Sequence, residues 1–350
     1  MNKPDQSLRI LFFGNTGVLH RKGKPTPSTT IRVDNISRKL AGIGHKCRID
    51  YIKTGKLQQN KEEILNSDVV VFHRIQASAR TWVEASLVPL YILAKAYGKK
   101  IVFDLDDAVF LTFPVICEFC VKLADAVFVG SHFLLSYAKK LNPNAFLIPS
   151  AVDTEAFRPS EKRVRNSGQI ILGWHGSAAG HFRNIKSLKP ILKELSRKHN
   201  VTFTLLGTEG NRAIQEFFTA PNLSLNFGPT SWIRYDQLPS YLKDVDIGMS
   251  PLVDSLWNRG KCAMKAIEYM SLGKPVVASP VGEHNFIIKD RVNGFLAQSN
   301  EDWLSKIEEL VENADLRYRI GARARNTVTM SFSLDKVARK VSALLQDMCS

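Results

Sequence analysis

What this 350-residue sequence lacks narrows its reading first. No window of about 20 residues is apolar enough to span a bilayer. The nearest, 108–130, is interrupted by Pro114, Glu118, Lys122 and Asp125. Met1–Gln6 carry none of the features of a secretory signal and lead into a strand-like run. The five cysteines (Cys47, Cys117, Cys120, Cys262, Cys349) are odd in number and scattered, which excludes a disulfide framework and points to a reduced, cytoplasmic protein. Cys117-x-x-Cys120 has no second pair, so a half-buried helix is expected there rather than a zinc or redox centre. Aromatic residues are not interleaved with the cations and no nucleic-acid-binding motif is present, so no nucleic-acid partner is expected. Gly14-Asn15-Thr16-Gly17 lacks the G-x-G-x-x-G spacing of a dinucleotide fingerprint, which weighs against a dehydrogenase.

What is present in excess is positive charge. The formal net charge is +15, and residues 1–61 hold 13 Lys/Arg against 3 Asp/Glu. A basic surface concentrated in this way suits an anionic membrane face or phosphorylated substrates. Hydrophobic residues make up 44% of the chain, enough for a core in each of two domains at this length.

Along the chain, short apolar runs alternate with helical segments. Strands are expected over Leu8–Phe13, Lys46–Ile52, Asp68–Arg74, Lys100–Leu105, Ala126–Gly130 and Phe146–Pro149. Helices are expected over Ser28–Gly42, over Ala79–Gly98 and after Ser131, which suits an N-cap. Pro159–Gly168 has linker composition, and then the alternation restarts. Strands over Gln169–Trp174, Val201–Leu206, Leu223–Phe227 and Asp246–Pro251 are separated by helices over 182–198, 211–218 and 234–243. Three helices (303–313, 315–329, 334–348) close the chain. This is an α/β pattern of two halves, each with a parallel sheet, and ligands of such sheets bind at the carboxyl ends of the strands.

The stretch Asp254–Leu296 carries the densest chemistry. Lys261, Lys265 and Glu268 follow i, i+4, i+7 spacing, which on a continuous helix puts them on one face. Ala263, Ala266, Ile267 and Met270 then form the packing face, and Val276–Ala278 runs without alternation, as a buried strand does. Two cations and a carboxylate so placed suit an anionic ligand that bears hydroxyls. The competing reading is a solvated ion pair worth a few tenths of a kcal/mol.

Several motifs together resemble one family. Ala124–Ser131 with Leu147–Pro159 resembles the inter-domain signature of family 4 glycosyltransferases. Gly260–Gly282 with Val292–Ala297 resembles their donor-binding core, and Asp246–Leu252 and Leu316–Gly321 fit the same spacing. The resemblance implies a GT-B fold of two Rossmann-like domains facing across a cleft. Its boundaries here would be 1–158 for the acceptor domain, 159–330 for the nucleotide-sugar domain, and a final helix in 331–350 packing back on the first domain. It implies a retaining transfer from a nucleotide sugar, with no separate cofactor and no metal, because helix N-termini and Lys/Arg neutralise the leaving diphosphate. Glu268 matches the second glutamate of the family's paired motif, which accepts from the ribose hydroxyls. The first glutamate, eight residues earlier, falls on Gly260; Lys261 and Lys265 are then candidates for the diphosphate, and Asp254 for the missing carboxylate. After the first strand of the second half, Ser177 and Arg183 stand where relatives often carry Arg and Lys, with His175 and His181 nearby. Gly282 closes the core motif.

In the first half, Asp106 stands near a catalytic-region histidine of many relatives, and His73 ends a neighbouring strand; these two are the catalytic candidates. Asp104, Asp106 and Asp107 superficially resemble the metal-binding Asp-x-Asp of the other glycosyltransferase fold, an architecture that two halves do not suggest. Arg21, Lys22, Lys24, Arg38 and Lys39 can hold such an enzyme against an anionic inner membrane surface, with Phe110–Cys120 adding apolar contact. The reading is therefore a cytoplasmic, peripherally attached glycosyltransferase of surface glycan or glycolipid synthesis, acting on a glycan or lipid-linked acceptor. The alternatives are a nucleotide-sugar epimerase of similar architecture and a non-catalytic polyanion- or lipid-binding relative.

Overall fold

The apolar runs form twelve strands among the described residues, in two parallel sheets of six. These were obtained in a computed structural model, which describes residues 7–14, 26–51, 57–74, 82–160 and 168–350. The turn at Asn15–Gly17, the cations Arg21, Lys22 and Lys24, and 161–167 of the linker fall outside them. The chain divides into two compact units. Unit 1 comprises 1–151, 259–262 and 334–350, and unit 2 comprises 152–258 and 263–333.

In unit 1 the strands are β1 (Arg9–Gly14), β2 (Lys46–Tyr51), β3 (Val69–His73), β4 (Lys100–Leu105), β5 (Ala126–Val129) and β6 (Ala145–Leu147). Their order is β2-β1-β3-β4-β5-β6, every pairing parallel. Each residue of β3 and β5 is buried, as expected of unbroken apolar runs covered on both faces. The register sets His73 opposite Asp104 at the carboxyl ends of β3 and β4. The first helical stretch is not uniform: Pro27–Thr29 and Asn35–Gly42 are α-helical, but Thr30–Asp34 is a π turn. The helix Leu334–Cys349 is amphipathic. Leu334, Val337, Val341 and Leu345 pack into the cluster that holds Ile36 and Leu40, and Lys39 pairs with Asp335 at 2.8 Å.

In unit 2 the strands are β7 (Ile170–His175), β8 (Val201–Leu206), β9 (Ser224–Asn226), β10 (Ile247–Ser250), β11 (Val276–Ala278) and β12 (Phe295–Leu296). Their order is β12-β11-β10-β7-β8-β9. Chain order reverses between β7 and β10, the switch point at which doubly wound sheets open a crevice. The helix expected over 182–198 is broken into Phe182–Ile185 and Leu188–Lys198, where Ser187 Oγ donates to the Asn184 carbonyl (2.8 Å). Among the described residues no helix is long and apolar enough to cross a membrane.

Candidate functional site

Unit 2 gathers its polar side chains at the ends of β7 and β10. The helix Met264–Ser271 packs on the sheet through Ala266, Ile267 and Met270. That packing leaves Glu268 almost wholly buried and not solvated, so the surface ion-pair reading of the Lys-Glu spacing is overturned. Glu268 Oε2 lies 3.2 Å from His175 Nε2 at the end of β7. Buried Tyr269 and half-buried Tyr235, its hydroxyl enclosed, stand near the same carboxylate, and loss of water first and its negative charge second push both phenols well above their ordinary pKa. One turn before Glu268, half-buried Lys265 sets its ammonium 5.3 Å from the centre of the Trp174 ring and beside Gly176. Gly176 and Gly207 pack backbone to backbone at the ends of β7 and β8. Gly207 has φ +91° and a Cβ on it would stand 1.9 Å from the Gly176 carbonyl oxygen. The loop after β7 is thereby held flat beside the Lys265–Glu268 turn.

A second layer supports this turn. His284 is buried with Nδ1 2.9 Å from the Ser279 carbonyl and Nε2 3.0 Å from Ser250 Oγ. A carbonyl only accepts, so Nδ1 carries the proton and Nε2 accepts from Ser250. Burial, reinforced by the Lys265 charge, lowers His284 to a pKa of about 4. Asn184 Oδ1 accepts from Val253 N (3.0 Å) and Asn258 Nδ2 (2.9 Å), fastening the 253–258 segment to the Phe182–Ile185 helix.

Unit 1 holds a separate cluster of charge at the ends of β3 and β4. From the π turn, Arg32 grips both oxygens of Asp104, with Nε 3.0 Å from Oδ2, and Nη1 donates to the Ile148 carbonyl at 2.6 Å. His73 Nδ1 lies 2.9 Å from Asp104 Oδ2. Burial by itself would raise the Asp104 carboxyl, but the Arg32 charge and the hydrogen bonds from Arg32 and His73 outweigh it and hold it well below the ordinary carboxylate range. Arg74 pairs with Asp107 and stands 3.3 Å from Asp106 Oδ1; Lys261 Nζ donates to Asp107 Oδ1 at 2.7 Å. Asp107 is likewise held low, because the Lys261 and Arg74 charges exceed the effect of burial. Cys262 Sγ reaches the Asp106 carbonyl (3.1 Å), and the Gly260 carbonyl accepts from Ser131 Oγ (3.2 Å). Each carboxylate of the Asp-x-Asp-Asp run thus faces a cation of the chain. Among the described residues no group of three or more His, Cys, Asp and Glu is arranged to hold a metal ion.

Residues 170–313 match the family model described as glycosyl transferases group 1. This segment belongs to the group 1 glycosyltransferases. The glycosyltransferase segment contains every unit 2 residue named above. Over 211 residues, 57% of the chain, it is 25% identical to TuaH, a Bacillus subtilis (strain 168) glycosyltransferase named for teichuronic acid biosynthesis. The match covers 52% of that protein, so the chain spans about half the length of this curated relative. A glycosyltransferase from Rickettsia africae has the same fold at a TM-score of 0.69, with 16% identity and 98% of each chain covered. Anabaena HepE, solved with UDP and glucose, gives 0.68 and 16%, covering 97% of this chain and 100% of that one. The fold is the GT-B type, an α/β architecture with two Rossmann-like domains.

The candidates read from the sequence divide between the units. Glu268, Lys265, Ser177, Arg183 and Gly282 lie in unit 2, and His73, Asp106, Gly260 and Lys261 lie in unit 1. Arg183 is exposed on the first turn of its short helix, Ser177 Oγ accepts from Gly180 N (3.4 Å), and Gly282 has φ +56° in the turn after β11. Asp254 is exposed on its loop. One expectation is corrected. Lys261 does not share a helix face with Lys265 and Glu268, because the helix begins only at Met264 and Ala263 is left-handed (φ +53°), which breaks the periodicity. Arg32, Tyr235 and His284 were missed. Arg32 and Asp104 are 72 residues apart, and no local spacing announces the pair. A buried histidine after Gly282 gives a weak signal only.

Proposed function

We propose that the chain is a retaining glycosyltransferase that moves a sugar from a nucleotide-sugar donor to a hydroxyl acceptor, in synthesis of a surface glycan or glycolipid. One observation carries the reading: a buried carboxylate, Glu268, and a half-buried ammonium, Lys265, stand one turn apart at the switch point of the group 1 segment. A carboxylate accepts both protons of a vicinal diol, and an ammonium neutralises a diphosphate. The ligands of the Anabaena structures, UDP and UDP-glucose, support a UDP-sugar donor, and the name of the Bacillus relative supports a surface polymer as destination.

In the reaction the bond between the anomeric carbon and the terminal phosphate oxygen breaks, and its electron pair leaves with the diphosphate. The acceptor oxygen bonds to the same face of the sugar and loses its proton. Lys265 and Arg183 stabilise the charge that builds on the diphosphate, while Ser177 and Gly282 frame its loop. His73 and Asp106 of unit 1 are assigned to the acceptor hydroxyl and its proton. Gly260 and Lys261 enter as neighbours of Asp106 and Asp107. The proposal uses no cofactor beyond the donor and no metal. Residues 1–158 would serve the acceptor and 159–330 the donor. Attachment to an anionic membrane face would use Arg38, which is exposed, and the apolar Leu111 and Val115, 42% and 78% exposed.

Thermal-shift titration with UDP, GDP and ADP tests the donor half, since a ligand of the folded state raises its melting temperature. Replacing Glu268 by Ala should weaken the binding nucleotide at least about tenfold, the loss expected for hydrogen bonds to a charged acceptor. Unchanged affinity removes the ribose assignment. If no nucleotide sugar is bound, hydrolysed or transferred at millimolar concentration, the whole reading fails.

A further inference from the structure

Glu268 has a neighbour to which neither its motif nor the family match gives a role. His175 ends β7 with its side chain 7% exposed, against 4% for Glu268. Nε2 lies 3.2 Å from Glu268 Oε2 yet makes no directed hydrogen bond. The ring is held in this position: it stands edge-on to Tyr269, 5.1 Å between centres, and the backbone turns away immediately after it at Gly176, φ +136°. Two buried polar groups so close, with the nitrogen unsatisfied, are completed by a third group that can both donate and accept. A carboxylate only accepts and would repel an unprotonated nitrogen, so Nε2 is the protonated atom and donates. A hydroxyl fits both at once, giving its proton to Glu268 and taking one from Nε2.

We propose that His175 is a further specificity-determining residue of the donor site, its Nε2–H donating to the ribose hydroxyl whose proton Glu268 accepts. His175 and Glu268 together then read the diol, and Lys265, beside Gly176, takes the phosphate end. The inference rests on the nucleotide-sugar reading of unit 2, and its test separates the two. Isothermal titration of the full chain with UDP, GDP and ADP identifies the nucleotide that binds, and its 2′-deoxy and 3′-deoxy counterparts are then compared. Wild type is expected to prefer the ribonucleotide over one or both deoxy forms by roughly tenfold or more, the worth of one hydrogen bond in a desolvated site. His175→Ala should weaken the ribonucleotide several-fold and leave the discriminated deoxy form nearly unchanged, so that the preference shrinks to the share Glu268 alone supplies. His175→Gln, whose amide nitrogen reaches toward the Nε2 position, should restore part of it. A histidine that only supports packing would weaken all forms equally, and a preference undiminished in His175→Ala overturns the inference. Absence of binding by all three nucleotides to wild type overturns the donor reading, and the inference with it.

Discussion

The buried histidine behind the Lys265–Glu268 turn makes a quantitative prediction about acid stability. His284 is neutral in the folded protein, its proton on Nδ1 committed to the Ser279 carbonyl and its lone pair to Ser250 Oγ. Its ring is 1% exposed, and burial, with Lys265 adding repulsion, holds its pKa near 4 against an ordinary 6.5. The folded value is the lower one, so the unfolded chain takes up this proton first as the pH falls. Stability is full above about pH 6.5 and drains away between 6.5 and 4. With each pH unit worth 1.36 kcal/mol, the loss by pH 4 is about 3 kcal/mol. Other groups titrate over the same range, so the quantity to measure is a difference: stability of wild type minus that of His284→Gln, from urea unfolding at pH 7, 6, 5 and 4. Tryptophan emission is the suitable signal, because four of the five tryptophans (Trp174, Trp232, Trp257, Trp303) lie in unit 2. The variant is less stable at pH 7, where it lacks the native bonds, and the gap should narrow by about 3 kcal/mol on reaching pH 4. A gap that stays constant to within about 0.5 kcal/mol would show that His284 is not kept neutral by burial, and the argument would fail.

Asp104→Ala strands the Arg32 guanidinium, whose side chain is 4% exposed, and should destabilise unit 1 by about 3–5 kcal/mol in chemical denaturation. Asp104→Leu combined with Arg32→Met should recover much of that loss, and a double variant no more stable than the single one would contradict it. Because the Asp104 carboxyl is held below its unfolded value, the stability it supplies is present above about pH 4 and is lost as the pH falls through the lower folded value. Gly207→Ala should abolish nucleotide binding and cost more than Gly210→Ala. Both have positive φ (+91° and +77°), worth about 1–3 kcal/mol in strain, but only Gly207 is pressed against the Gly176 backbone. Equal melting temperatures for the two variants would refute the close packing of the loop after β7.

The alternation of unbroken apolar runs with helices made both sheets legible, because a strand covered on two faces leaves the same mark wherever its partners lie. Boundaries moved where side chains overrode local preference. The helix that periodicity alone would continue over 182–198 is split where Ser187 Oγ donates to the Asn184 carbonyl. The candidate site was legible in its residue types and less so in its geometry. Lys261, Lys265 and Glu268 have the spacing of a helical stripe, but spacing places side chains only if the backbone is helical throughout. One left-handed residue, Ala263, sends Lys261 to Asp107 in unit 1 and leaves Lys265 and Glu268 at the sheet of unit 2. Nor can spacing distinguish a solvated carboxylate from a buried one. The environment of Glu268 is set by His175, Tyr235 and Tyr269, of which only the last is its neighbour in sequence. A pattern three residues long can therefore mark a carboxylate, whereas what sets its environment, removal from water beside a buried nitrogen, comes from strands and loops far away in the chain.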